Sequence, residues 1–369
     1  MAKSNLHRLS DAGVSVWIDY LSRDLIQSGE LERMMRDDTV VGVTSNPTIF
    51  QKAISSGEAY DEQLKKVLEE TDEPKEIFIA LASKDVSDAC DLLRPVWDEG
   101  GGRDGYVSIE VDPTLAYDTE ATVDQATRFH EQIDRPNLFV KIPATKPGLP
   151  AIEDMIARGR SINVTLIFSL KRYVEVAEAY IRGLERLVAS GGDPTPVSSV
   201  ASFFVSRVDT EADKRLDAIG GHDDLKGRLA VANAKLAYAE YKRLFSGERW
   251  EFLAGKGASP QRCLWASTST KNPDYRDVLY VEELVGENTV NTMPQETIEA
   301  FQDHGEVRPQ SVEEGLDKAR DLIGRLAKAG VDYDDVVRVL EREGVEKFSD
   351  SFDELLEGIR ASSRELVAA

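Results

Sequence analysis

The 369-residue sequence sets one lysine, Lys141, in the segment NLFVKIPAT, with apolar residues on both sides. Holding an unpaired ammonium away from water there costs on the order of several kcal/mol. A neutral amine is the cheaper state, and it is also the nucleophile that condenses with a ketone to give an imine. An isolated lysine at such a place reads more readily as a side chain that snorkels to solvent. Two carboxylates in comparable apolar runs, Asp19 and Glu110, tip the balance. Imine-based aldol chemistry needs proton transfers when the carbinolamine loses water, at the hydroxyl next to the breaking C–C bond, and at the carbon that leaves or returns. Two carboxylates near one amine can serve those steps. Each also has a plainer reading, Asp19 as the cap of a helix starting near Leu21 and Glu110 as half of a structural ion pair. A carboxylate beside Lys141 favours the ammonium, so it opposes the effect of desolvation. The segment GVTSNPTIF (residues 42–50) starts as a strand and breaks at Asn46-Pro47. Asn46 then stands at the strand end, where its amide can bind a sugar hydroxyl or only shape the turn.

These residues need a scaffold that brings strand ends together. Eight short runs rich in apolar and β-branched residues supply candidates: VSVWI (14–18), VVGVT (40–44), YVSIEV (106–111), NLFVKI (137–142), INVTLI (162–167), PVSSVAS (196–202), RCLWAS (262–267) and NTVNT (288–292). Between them lie amphipathic stretches, such as TVDQATRFHEQI and KRYVEVAEAYIRGLERLVAS, whose apolar residues recur every three or four positions. Strands alternating with helices call for a parallel sheet. Eight such units predict a closed (β/α)8 barrel in one domain over residues 1–369. The rival, an open doubly wound sheet, lacks a GxGxxG at its first helix. The tail from about 311 to 369 reads as helices only, broken at Gly330 and Gly344, and is expected on the barrel exterior or in the final crossover. Gly- and Pro-rich stretches at 101–105, 190–196 and 254–261 read as loops into strands.

In a barrel of this kind the site forms where the C-terminal strand ends converge. Asp19, Ser45 and Asn46, Glu110, Lys141, Asn163 and Thr165, and Ser202 with Arg207 just beyond it, would all gather there. A formal charge of −22 argues against nucleic-acid and anionic-membrane partners, and an anionic substrate must be met by a few specific cations. No apolar stretch reaches the roughly 20 residues of a membrane-spanning helix. The opening MAKSNLHRLS lacks the apolar core of a signal peptide, and only Cys90 and Cys263 are present, so a cytoplasmic chain without disulfides is expected. Four His and two Cys, none in a ligand spacing, argue against a zinc site and against metal-dependent aldol chemistry.

GVTSNPTIF and NLFVKIPAT resemble the two signature segments of the transaldolases, at the spacing that family shows. IEVDPTLAYDTEAT, SINVTLIFSLKRY and SSVASFFVSRVD are similar to family segments in the same order, so the resemblance covers at least residues 14–207, and NTMPQETI continues it. The length resembles a long bacterial subfamily, often seen in actinobacteria. The resemblance implies a cofactor-free, metal-free enzyme of the pentose phosphate pathway that moves a dihydroxyacetone unit between sugar phosphates. Lys141 would form the imine and Asp19 would be the general acid/base. Glu110, with Thr165 and a water molecule, would assist imine formation and hydrolysis. Asn46 and Asn163 would orient the donor hydroxyls, Ser202 and Phe204 would line the pocket, and Arg207 would clamp the phosphate. One departure concerns a second arginine that many members carry after strand seven in an ASFR-like segment. Here ASTSTKNP stands instead, and Lys271 is the candidate replacement. The oligomeric expectation is a monomer or homodimer. The rival activities are a fructose-6-phosphate aldolase, which releases free dihydroxyacetone, and a silent sugar-phosphate binding protein.

Overall fold

The computed structural model describes residues 3–55 and 59–368. Eight parallel strands close into a barrel in sequence order. They are β1 (Val14–Ile18), β2 (Val40–Val43), β3 (Tyr106–Glu110), β4 (Leu138–Pro143), β5 (Ile162–Ile167), β6 (Ser199–Phe204), β7 (Arg262–Ala266) and β8 (Thr289–Met293). β1 closes the ring against β8, with Val14 opposite Thr289 and Ile18 opposite Met293. Every run expected to be a strand is one. β6 is displaced, starting at Ser199 rather than at 196 and running on to Phe204. The turn from Pro194 to Val197 occupies the earlier residues, and Pro196 has no N–H to offer a ladder.

Closure forces side chains of alternate strand positions into the barrel axis, where they must fill it. The Trp17 ring lies 6.1 Å from that of Phe139, which stacks on Tyr106 at 4.0 Å. Room for the indole comes from Gly42, because a Cβ there would sit 2.4 Å from the Trp17 ring. Below these rings a polar cluster seals the N-terminal end. Asp104 accepts from Ser15 Oγ at 2.8 Å, Trp17 Nε1 at 3.3 Å and Arg262 at 3.0 Å. Cys90 and Cys263 are both free and buried.

The tail departs from expectation in two ways. Gly330 ends the helix Leu316–Ala329 in the left-handed conformation (φ +99°), but the helix Tyr333–Ala368 passes through Gly344 without a break. Gly344 is there for closeness. A Cβ would meet Leu166 Cδ2 at 3.1 Å and the Phe168 ring at 3.4 Å, so the helix rests directly on the end of β5. The helix is also not confined to the exterior. It packs on the helices Pro47–Ser55, Pro74–Glu99 and Ser206–Ile219, crossing the C-terminal face of the barrel. Val345, Phe348, Phe352, Leu355 and Ile359 form its buried stripe, and Ser351 Oγ accepts from Thr48 Oγ1 at 2.8 Å. The segment 246–261 contributes a short helix, Glu248–Ala254, whose Trp250 packs edge-on against Phe245 at 4.8 Å.

Overpacking the axis should therefore be costly. Gly42→Ala is expected to lower stability by about 1–3 kcal/mol, read as a lower midpoint of thermal unfolding. Trp17→Leu in the same chain should restore part of the loss, and an unchanged midpoint in the single variant would contradict this packing.

Candidate active site

The C-terminal strand ends enclose a cavity of about 320 Å³. Of the residues singled out in the sequence, Asp19, Asn46, Lys141, Thr165, Ser202, Phe204, Arg207 and Lys271 line it. Ser45, Glu110 and Asn163 do not; all three are buried in the wall behind it. Register explains the arrangement, since Glu110 on β3, Lys141 on β4 and Asn163 on β5 stand side by side as ladder partners. A larger cavity of about 420 Å³ opens at the opposite end, around Arg103, Tyr106 and Arg262, away from all of these residues.

Lys141 does not stand alone among apolar groups. Its Nζ donates to Ser45 O at 3.0 Å and lies 3.2 Å from Glu110 Oε2, and both side chains are almost wholly buried. Neither Glu110 oxygen, nor Thr165 Oγ1, accepts or makes a hydrogen bond among the described residues. Burial pushes the Glu110 carboxyl above its ordinary range, against the pull of the Lys141 charge. Asp19 is raised for the same reason. Lys141 and a hydrogen bond from Thr44 Oγ1 to Asp19 Oδ1 at 2.7 Å oppose the rise. Two carboxyls pushed upward by burial beside one amine make a proton-transfer site.

The plainer roles weighed for these residues go elsewhere or are shared. Ser22, not Asp19, caps the helix Arg23–Gln27, by accepting from Leu25 N at 3.1 Å. Glu110 does form an ion pair, and its partner is Lys141 itself. Asn46 takes part in the turn, its Oδ1 accepting from Ile49 N at 3.0 Å, while still facing the cavity. The Asn163 amide is engaged on both sides, donating to Ser108 Oγ at 3.1 Å and accepting from Ser202 Oγ at 2.7 Å.

At the outer rim stand the cations. Arg207, on the helix Ser206–Ile219, has no hydrogen bond or ion pair from its guanidinium among the described residues. It lies instead over two rings, 5.0 Å from the Phe204 centroid and 5.7 Å from that of Phe348. Burial lowers its pKa, and the Asp19 and Glu110 charges oppose that. Next along the same helix, Asp209 accepts from Ala230 N at 2.7 Å and Tyr280 Oη at 2.9 Å. Its carboxyl, buried, is pushed up to about 7, and it ties the Arg207 helix to its neighbours. Lys271 lines the rim beside Ser269, to which its Nζ donates at 2.7 Å.

The sequence reading missed Thr44, Lys52, Ser267, Ser269, Thr292 and Phe348, all of which line the cavity. Thr44 and Thr292, whose hydroxyls are 2.6 Å apart, were discoverable by strand alternation, as the residue just past β2 and the last polar position of β8. Lys52 falls one helical turn beyond Thr48 and shares its face. Phe348 had no such signal, for it arrives from the far end of the chain. Among the described residues no group of three or more His, Cys, Asp or Glu is placed to hold a metal ion, and no helix is long and apolar enough to cross a membrane.

Comparison with known proteins agrees with the geometry. The family model for transaldolase/fructose-6-phosphate aldolase matches residues 16–359. A transaldolase of Parafrankia sp. is 54% identical over 357 residues, covering 96% of this chain and 97% of its own. Transaldolase 1 of Streptomyces avermitilis is 53% identical over 98% of this chain and 96% of its own. A Mycobacterium bovis transaldolase is 51% identical, over 97% and 96%. With likeness of that degree running nearly end to end, the chain belongs to the transaldolase/fructose-6-phosphate aldolase family and, within it, to the transaldolases.

Proposed function

We propose that the protein transfers a dihydroxyacetone unit reversibly from sedoheptulose 7-phosphate to glyceraldehyde 3-phosphate, giving erythrose 4-phosphate and fructose 6-phosphate, with Lys141 as the carrier. The observation that supports this most strongly is the buried Lys141 amine, 3.2 Å from Glu110 Oε2, opening onto the cavity that it shares with Asp19. The amine adds to the C2 carbonyl of the donor, and the carbinolamine loses water to an imine. Glu110, in its ion pair with the Lys141 amine, and Thr165, whose Oγ1 has no hydrogen-bond partner among the described residues, assist that exchange of water. Asp19 takes the proton from the C4 hydroxyl as the C3–C4 bond breaks; the bonding pair goes into the enamine and the aldehyde product leaves. The acceptor aldehyde then enters, the enamine carbon attacks its carbonyl, Asp19 returns the proton, and water hydrolyses the new imine. Asn46, Asn163 and Ser202 orient the hydroxyls of the carried unit. Arg207 holds the phosphate, with Lys271 in support. The reading includes cytoplasmic action by a monomer or homodimer, without nucleic-acid partners.

The test of reaction class measures release of glyceraldehyde 3-phosphate from fructose 6-phosphate with and without erythrose 4-phosphate. Acceptor-dependent turnover is expected, and turnover indifferent to the acceptor would favour the aldolase. Borohydride with fructose 6-phosphate should leave an adduct on Lys141, read by mass spectrometry; an adduct elsewhere would overturn the mechanism. Lys141→Arg should stay folded by circular dichroism yet lose turnover by at least about 10³-fold, because a guanidinium does not deprotonate to attack a carbonyl.

A pH profile tests Asp19. Thr44 donates to its carboxylate and so holds its pKa down. Thr44→Val removes that donor, the pKa rises further, and the ionised base is lost sooner as pH falls. The acid limb of kcat/KM should therefore move to higher pH; a limb that stays in place or moves lower would rule Asp19 out as that base.

A further inference from the structure

Arg207 is a half-buried cation at the rim of the cavity, in an unusual setting. Buried guanidinium groups are ordinarily paired with a carboxylate, as Arg23 is with Asp85 at 2.8 Å elsewhere in this chain. Arg207 has no such partner among the described residues and lies over two ring faces, that of Phe204 at 5.0 Å and that of Phe348 at 5.7 Å. Phe204 comes from the end of β6, within the barrel. Phe348 comes from the C-terminal helix, which lies outside the eight strand-helix units. Its place over the mouth is secured from both directions along the helix. Gly344 lets the backbone settle onto Leu166 and Phe168. Ser351 accepts the hydrogen bond from Thr48 at 2.8 Å, and Phe352 packs edge-on against Phe78 at 5.4 Å.

We propose that Phe348 is a positioning residue which clamps the Arg207 guanidinium against Phe204 and so sets the preference of the enzyme for phosphorylated over unphosphorylated sugars. A flat cation held against two ring faces is restricted in orientation while its N–H edges stay free, and bidentate phosphate recognition needs those edges. A carboxylate in place of Phe348 would also have fixed the arginine, but it would have occupied those same edges. The proposal rests on the reading of Arg207 as the phosphate-holding residue.

The experiment compares kcat/KM for fructose 6-phosphate and for fructose, with erythrose 4-phosphate as acceptor, together with inhibition by inorganic phosphate. Phe348→Leu is expected to raise KM for fructose 6-phosphate and Ki for phosphate about tenfold, with kcat altered less than about twofold. The phosphorylated-to-unphosphorylated ratio should fall about tenfold. Phe348→Tyr, which keeps a ring, should restore the ratio to within about threefold. Phe352→Leu, one turn further and away from Arg207, controls for loosening of the helix and should leave the ratio unchanged. An equal loss with both sugars in Phe348→Leu, or the same ratio change in Phe352→Leu, would overturn the proposal. Arg207→Ala separates the two levels of the argument: if it leaves the ratio intact, the underlying assignment of Arg207 fails, whereas an effect of Arg207→Ala without one of Phe348→Leu sinks only the clamp.

Discussion

The site depends on keeping a lysine and two carboxyl groups close together at the C-terminal end of a closed sheet. The ladder places Glu110 and Lys141 side by side, so their 3.2 Å approach follows from strand register and needs no flexible loop. Burial drives both carboxyls toward neutrality. Mutual attraction opposes that, and Thr44 adds a hydroxyl that favours the Asp19 carboxylate. The result is two carboxyls raised by burial beside one amine, an arrangement suited to proton transfer.

The rest of the barrel serves that balance by rigidity. The Trp17, Phe139 and Tyr106 rings fill the middle of the axis, and the Asp104 cluster closes the far end. In the wall of the cavity, Ser108, Asn163 and Ser202 bond to one another in a line across β3, β5 and β6. That line satisfies buried polar groups which would otherwise destabilise the interior. It also fixes the wall against which a substrate would lie.

The barrel was readable because its strands are continuous apolar runs separated by amphipathic segments, a pattern that few other folds share. The polar residues at strand ends were readable for a related reason: Lys141, Asp19 and Thr165 break apolar runs at the positions where a parallel barrel gathers them. Depth was not readable. Nothing in the spelling of INVTLI tells that the Asn163 amide is already engaged on both sides by serines. The tail misled for a physical reason as well. Glycine weakens an isolated helix and so reads as a stop, but at Gly344 it purchases close contact with Leu166 inside an unbroken helix. Phe348 was invisible because its meaning lies in an arginine about 140 residues earlier, a distance over which no local periodicity speaks.

The indole of Trp17 seated over Gly42 has one more implication. It blocks the barrel axis, so the reaction chamber communicates with solvent through its rim and not through the far end of the molecule. Whatever the first sugar leaves behind must depart by the doorway through which the second arrives, and about 320 Å³ offers little space for both at once. Traffic of that kind has a fixed order, in which one product is gone before the next reactant is seated, and the kinetic pattern it produces is ping-pong.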